Sequence, residues 1–128
     1  MEGKHKELIF NDIPRLVNLP SHFDPVPFLV SPDMGPDMKF GVAGLDVSKL
    51  VGQYITDAHA HDCAEIYMAP SPNRGDMVFE ITLDDDIYTV ESPLAIYVPA
   101  GVKHRFKTLK ADRVGSYFFG ILLDMAKA

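Results

Sequence analysis

The stretch DAHAHDCAEIY, residues 57 to 67, places two histidines one residue apart and a glutamate four positions after the second. Along an extended chain His59, His61 and Glu65 share parity, so their side chains project from the same face. Imidazole nitrogens and carboxylate oxygens are common ligands of divalent metal ions. The stretch therefore indicates either three ligands of one ion or a polar turn that is rich in histidine.

A third histidine lies downstream in YVPAGVKHRF, residues 97 to 106. Pro99 and Gly101 predict a turn that delivers His104 to the start of the next strand. With the first stretch, His104 completes a set of four nitrogen and oxygen ligands. Such a set suits one divalent transition metal, namely iron, manganese, nickel, cobalt or zinc.

Most of the chain after residue 37 consists of short runs rich in β-branched and aromatic residues, each closed by Gly, Pro, Asp or Asn. These runs predict eight strands, at residues 38–46, 49–57, 65–69, 76–84, 87–91, 94–99, 104–109 and 115–124. Helical periodicity between them is nearly absent. The pattern predicts an all-β protein, an antiparallel sandwich or barrel.

Two motifs of this chain resemble those of the cupin superfamily: His59-x-His61-x3-Glu65 and Pro99-x-Gly101-x2-His104. The resemblance covers about residues 40 to 122 and implies a small barrel of the double-stranded β-helix, or jelly-roll, type. It also implies that the three histidines and the glutamate bind one divalent metal inside the barrel. Pro93 stands where the family's second motif opens with glycine, a change that concerns a turn and not the ligands.

Residues near the motifs extend the predicted site. Tyr67 follows Glu65 by two positions and is interpreted either as a general acid or hydrogen-bond donor to substrate, or as a core tyrosine. Cys63 is interpreted either as a thiolate near the metal or, preferably, as a small residue in the turn. The predicted wall of the substrate pocket comprises Tyr54, Phe106, Thr108 and Tyr117.

The first 37 residues differ from the rest and contain six of the ten prolines. This proline content argues against a helix or a central strand over residues 18 to 37. Phe23, Val26 and Phe28 make the segment too apolar for a solvated linker. We expect an extended arm over residues 1–37, covering a sheet edge of its own subunit or of a partner, and a barrel domain over residues 38–128. Because such an arm can cover a partner, we expect a homodimer. The two histidines of the arm, His5 and His22, are predicted to be surface residues.

Composition limits the classes of partner. The chain has 128 residues and a formal net charge of −6, which argues against binding to nucleic acid or to an anionic membrane. A single cysteine excludes an internal disulfide, and no signal peptide is evident. We therefore expect a cytoplasmic protein whose partner is a small molecule.

The ligand set suggests what the site does. Four protein ligands on a six-coordinate ion leave two neighbouring positions for a substrate with two neighbouring oxygens. The predicted function is that of a metal-dependent enzyme acting on a small oxygenated molecule, either a dioxygenase or a lyase or isomerase. The alternative is a non-catalytic module that binds a small ligand or a metal.

Overall fold

The computed structural model describes residues 5–30, 34–35 and 37–127. Within these residues, nine strands and one short 3-10 helix, Lys6–Leu8, form the regular structure. The strands are β1 Arg15–Val17, β2 Val26–Val30, β3 Gly41–Asp46, β4 Glu65–Ala69, β5 Met77–Leu83, β6 Asp86–Glu91, β7 Leu94–Val98, β8 His104–Ala111 and β9 Tyr117–Leu122. The part of the chain that the structure describes has no helix long and apolar enough to span a membrane.

The strands form two antiparallel sheets. One has six strands in the order β1-β2-β3-β9-β4-β7, and the other has three in the order β6-β5-β8. The second sheet is built from consecutive or nearly consecutive strands, whereas β9 returns from the end of the chain to lie between β3 and β4. The all-β prediction is confirmed.

The core lies between the sheets because the strands alternate buried and outward side chains. Along β5, Met77, Phe79 and Ile81 are buried, while the residues between them are only partly so. From the other strands, Phe106 and Phe118 stack on each other with ring centroids 3.8 Å apart. This aromatic layer forms one wall of the space in which the histidines of the two motifs meet.

The strand predicted over residues 49–57 is wrong. There the backbone turns, with a hydrogen bond from the Leu50 N–H to the Val47 carbonyl and a positive φ of 83° at Gly52. These turns use backbone groups that a strand would offer to a neighbour. What remains of the prediction is two isolated bridges, Tyr54 with Lys107 and Thr56 with His22.

The proline-rich arm contains two strands, which corrects the expectation that a central strand is forbidden there. β2 lies between β1 and β3 of the same chain. Its pairing with β3 begins at Phe28, opposite Ala43, so Pro27 is paired on one side alone, with Leu16. A proline without an N–H is tolerated at such a position. The arm therefore extends the edge of its own six-stranded sheet.

Candidate metal centre

Three histidines from the two motifs meet at one point. His104 opens β8 with its side chain facing inward and only 1% of its surface exposed. His59 lies on the irregular segment before β4 and exchanges two backbone hydrogen bonds with His104, of 3.2 and 2.8 Å. The ligating nitrogens of His59, His61 and His104 lie within 4.8 Å of one another. Three imidazoles at this separation are close enough to bind one metal ion.

Backbone carbonyls fix the orientation of two of these rings. The Nδ1 atom of His59 lies 2.7 Å from the Asp57 carbonyl oxygen, and that of His104 lies 2.9 Å from the Val102 carbonyl oxygen. A carbonyl oxygen only accepts, so each Nδ1 carries the proton. In the neutral ring, Nε2 then presents its lone pair, which is the form that binds metals.

The surroundings affect the protonation of the three rings differently. Burial lowers the pKa of His59 and of His61, which favours the neutral form of both. Burial also lowers the pKa of His104, but the contact with Glu65 and the hydrogen bond to the Val102 carbonyl outweigh it, so the net shift is upward. The two loop histidines are thus held in the ligating form without help from a metal.

Glu65, the first residue of β4, adds an oxygen to the cluster. Its Oε1 lies 2.7 Å from His104 Nε2 and 3.8 Å from His61 Nε2. Because His104 Nδ1 donates to the Val102 carbonyl, Nε2 of the neutral ring and Glu65 Oε1 are two buried acceptors that face each other. Such a pair is satisfied only by a shared cation, which is either a proton, giving an ion pair, or a metal ion. The nitrogen and oxygen donors suit a transition metal.

Gly120 in β9 makes room for this carboxylate. A Cβ at this position would lie 2.6 Å from Glu65 Oε2, closer than real Cβ contacts allow. Sequence reasoning missed Gly120, although a glycine inside the apolar run YFFGILL indicates a close approach of another group to the backbone.

A cavity of about 410 Å³ opens beside the cluster. Its volume is within the range of small-molecule sites. Its wall is mainly apolar, and none of the described residues that line it is a lysine or an arginine. The barrel contributes His59, His61, Glu65, Tyr67, Ile55, Phe106, Phe118, Leu122 and Met125, among others, and the arm contributes Leu19, Pro20, Ser21, His22, Val26 and Phe28.

Tyr67 and Phe106 both line this cavity. Tyr67 is 5% exposed, and its ring contacts that of His104 edge-on at a centroid distance of 5.6 Å. Burial, and then the nearby Glu65 carboxylate, raises the pKa of Tyr67 well above its usual value. The hydroxyl therefore stays protonated and can act as a hydrogen-bond donor.

The other three predicted pocket residues are not among those that line the cavity. Thr108 is buried on the inner face of β8, opposite Phe79. The Tyr54 hydroxyl donates a hydrogen bond of 2.5 Å to Glu80, whose side chain, like that of Lys107, lies on the outward phase of its strand. Tyr117 is also outward, because Phe118 is the buried residue of that pair. Without the strand registers, the phase of Tyr54 and Tyr117 could not be fixed from the sequence.

The structure also places Cys63, for which the sequence left two roles open, and His22 of the arm. Cys63 is buried in an apolar cluster with Phe28 and Leu122 and does not belong to the histidine group. His22, predicted to be a surface residue, lies on the cavity wall with its ring centroid 5.7 Å from that of His59. The arm thus contributes a fourth imidazole beside the three that cluster.

No protein-family model matches the sequence, and no curated protein matches it. Solved structures do resemble it. One is the plu4264 protein of Photorhabdus luminescens, with 17% identity over 88% of this chain and 82% of that chain and a TM-score of 0.60. Another is a cupin 2 domain-containing protein from Halorhodospira halophila, with 22% identity over 79% of this chain and 63% of that chain and a TM-score of 0.55. The match therefore spans less than two thirds of the Halorhodospira chain.

A third similar structure is a Cupin 2 conserved barrel domain protein from Salinispora arenicola, with 18% identity, coverage of 79% of this chain and 77% of that chain, and a TM-score of 0.53. At these identities the likeness concerns the fold. It agrees with the resemblance carried by the two sequence motifs. The protein therefore has the cupin fold.

Proposed function

We propose that the protein is a divalent-metal-dependent enzyme acting on a small oxygenated molecule. The observation that carries the proposal is the cluster itself: three histidine nitrogens within 4.8 Å of one another, next to a mainly apolar cavity. Beside them lies the buried Oε1 of Glu65, 2.7 Å from His104 Nε2. The residues that would hold the metal are His59, His61, Glu65 and His104.

A bound ion would supply Lewis acidity or, if it is redox-active, a route for electrons. The chain's own residues supply the rest. The aromatic wall of Phe106 and Phe118 excludes water from one side of the cavity. Tyr67 places a protonated hydroxyl on the same wall, where it can donate to a substrate oxygen.

The cavity wall limits the substrate. Phosphate and sulfonate groups are usually bound by arginine or lysine, and no such side chain is among the described residues of the wall. The apolar lining favours an uncharged or singly charged molecule with an apolar body. Both reaction classes, dioxygenase and lyase or isomerase, are compatible with such a substrate, and the metal selects between them.

One observation favours a second function, a non-catalytic module that binds a small ligand or metal. Apart from the proposed metal ligands, the described cavity wall carries two titratable side chains, Tyr67 and His22. A site with so few groups for proton transfer also suits a receptor. A receptor would be stabilised by its ligand and would release it chemically unchanged.

The experiment uses protein loaded separately with ferrous iron under anaerobic conditions, manganese or zinc. Each form is incubated with a panel of catechols, 2-hydroxy ketones and 1,3-dicarbonyl compounds, and both oxygen uptake and product mass are recorded. His61→Ala should remain folded and lose turnover, whereas the adjacent, exposed Asp62→Ala should keep it. Turnover at the wild-type rate in His61→Ala would contradict the enzyme proposal. Thermal stabilisation by a compound that is recovered intact would favour the binding module.

We also propose that the chain forms a homodimer through the outer face of the six-stranded sheet. That face exposes apolar side chains, among them Tyr97 at 64% and Met68 at 37% exposure. The two residues lie on adjacent strands, β4 and β7, and exposed apolar side chains grouped on one face are typical of an interface. In light scattering, the wild type should have the mass of a dimer and Met68→Lys/Tyr97→Lys that of a monomer. Equal masses would contradict the proposed interface.

A further inference from the structure

We propose that His22, carried by the N-terminal arm, is a substrate-positioning residue. Its Nε2 accepts a hydrogen bond from a donor group on a small, largely apolar molecule whose oxygen atoms lie at the three-histidine cluster. This inference rests on the proposed function, because it assigns a second polar contact to the same cavity.

The first observation is the position of the arm. Six described arm residues, from Leu19 to Phe28, form one side of the cavity. Val26 and Phe28 are each 5% exposed and supply apolar surface. Ser21 and His22 supply the polar groups on this side.

The second observation is how firmly the backbone at His22 is held. His22 bridges Thr56, and hydrogen bonds flank the bridge on both sides, from the Phe23 N–H to the Ile55 carbonyl and from the Asp57 N–H to the Ser21 carbonyl. Ser21 itself has a φ of 65°, a conformation that residues with a side chain rarely adopt. Such strain persists where surrounding contacts fix the backbone, and it is frequent at functional sites.

The third observation is the orientation of the ring. The Nδ1 atom of His22 lies 3.0 Å from the carbonyl oxygen of Pro20, two residues earlier. Since a carbonyl only accepts, Nδ1 carries the proton, and in the neutral ring Nε2 is left as an acceptor. His59 and His104 are oriented by the same contact to the carbonyl two residues before each of them. The His22 ring therefore has the same orientation and tautomer as the rings of two proposed ligands, with Nδ1 protonated and Nε2 left as an acceptor.

His22 is nevertheless outside the ligating group. Its ring centroid lies 5.7 Å from that of His59, but its nitrogens are not among those that lie within 4.8 Å of one another. An acceptor placed beside the cluster, on a wall whose described residues include no lysine or arginine, can pair with an O–H or N–H of the bound molecule. The molecule then has three parts: oxygen atoms toward the metal, an apolar body and a hydrogen-bond donor toward the arm.

The test uses zinc-loaded protein, because zinc does not change oxidation state, and two matched pairs of probes. The probes are the two hydroxymethyl isomers of catechol and the two methyl isomers, which have the same two neighbouring oxygens and differ by one donor. Zinc content is measured by elemental analysis and probe affinity by titration calorimetry. The variants are His22→Ala, His22→Gln, which keeps an acceptor, and His5→Ala, a control in the same arm that lies exposed and away from the cavity.

We expect all variants to bind zinc as the wild type does. The wild type should bind at least one hydroxymethyl isomer about fivefold more tightly than its methyl counterpart, as one hydrogen bond provides. His22→Ala should lose this preference, His22→Gln should keep part of it, and His5→Ala should keep all of it. If His22 had a purely structural role, His22→Ala would lower the affinity for both probes of a matched pair equally.

A preference that persists in His22→Ala, or is absent from the wild type, would overturn the inference. Loss of zinc in a folded His22→Ala protein would also overturn it, since His22 would then be a ligand. Failure of the wild type to bind zinc would contradict both the proposed function and this inference. If the wild type binds zinc and the methylcatechols but does not prefer the hydroxymethyl probes, this inference alone would be contradicted.

Discussion

The candidate metal centre joins two side chains held by strands to two held by an irregular segment. Glu65 and His104 open β4 and β8 and are 8% and 1% exposed. His59 and His61 lie on a segment with no regular strand and are partly exposed. Backbone hydrogen bonds hold this segment in place, including one of 2.9 Å from the Gly101 N–H to the His61 carbonyl. One half of the site is therefore part of the core, whereas backbone hydrogen bonds attach the other half to it.

The largest effect should separate these halves in metal-free protein. His104→Ala leaves the buried Glu65 carboxylate without its neighbour, and we expect the free energy of unfolding to fall by about 3–5 kcal/mol. His61→Ala removes a partly exposed side chain and should cost about 1 kcal/mol or less. Urea denaturation in the presence of a chelator measures both. Equal losses of unfolding free energy in His104→Ala and His61→Ala would contradict the distinction between the two halves.

A second effect concerns function on the strand side. Tyr67→Phe keeps the packing of the ring against His104 and Phe118 but removes the hydroxyl. If the hydroxyl transfers a proton, turnover should fall by about 100-fold or more, with metal content unchanged. The exposed Tyr88→Phe, on β6 of the other sheet, is the matched control. Unchanged turnover in Tyr67→Phe would leave Tyr67 as a core residue.

A smaller effect should come from Gly120, which supports the strand half from β9. In Gly120→Ala the new methyl group would displace the Glu65 carboxylate, so metal affinity should fall by about 10- to 100-fold, as for other supporting residues. Stability of the metal-free protein should also fall, because the displaced carboxylate is buried and in contact with His104. Gly35→Ala, where a Cβ meets open space, is the control. Wild-type metal affinity in Gly120→Ala would show that metal binding does not depend on the space that Gly120 leaves for the Glu65 carboxylate.

The sequence predicted all four candidate ligands. His59, His61 and Glu65 follow from their shared parity and motif spacing, and His104 follows from the turn at Pro99 and Gly101 in the second motif. Tyr54 and Tyr117 were misplaced because a one-residue change of phase moves a side chain to the other face of a sheet. His22 could not be predicted as a cavity residue, because its position depends on a bridge to Thr56, more than thirty residues away.

The smallest effect should confirm that Tyr54 lies outside the site. Tyr54→Phe removes its hydrogen bond to Glu80 and should lower the free energy of unfolding by about 1 kcal/mol. Metal content should not change, because neither residue lines the cavity. Elemental analysis and urea denaturation of the same sample measure both quantities. Loss of metal in a folded Tyr54→Phe protein would contradict this placement.

The central claim is that the two halves of the site bind one ion together. Its most direct test is elemental analysis of untagged protein purified without chelator, beside His59→Ala/His61→Ala. We predict about one equivalent of a transition metal in the wild type and none in the folded double variant. Absence of metal from both proteins, even after reconstitution, or equal metal in both, would contradict the claim.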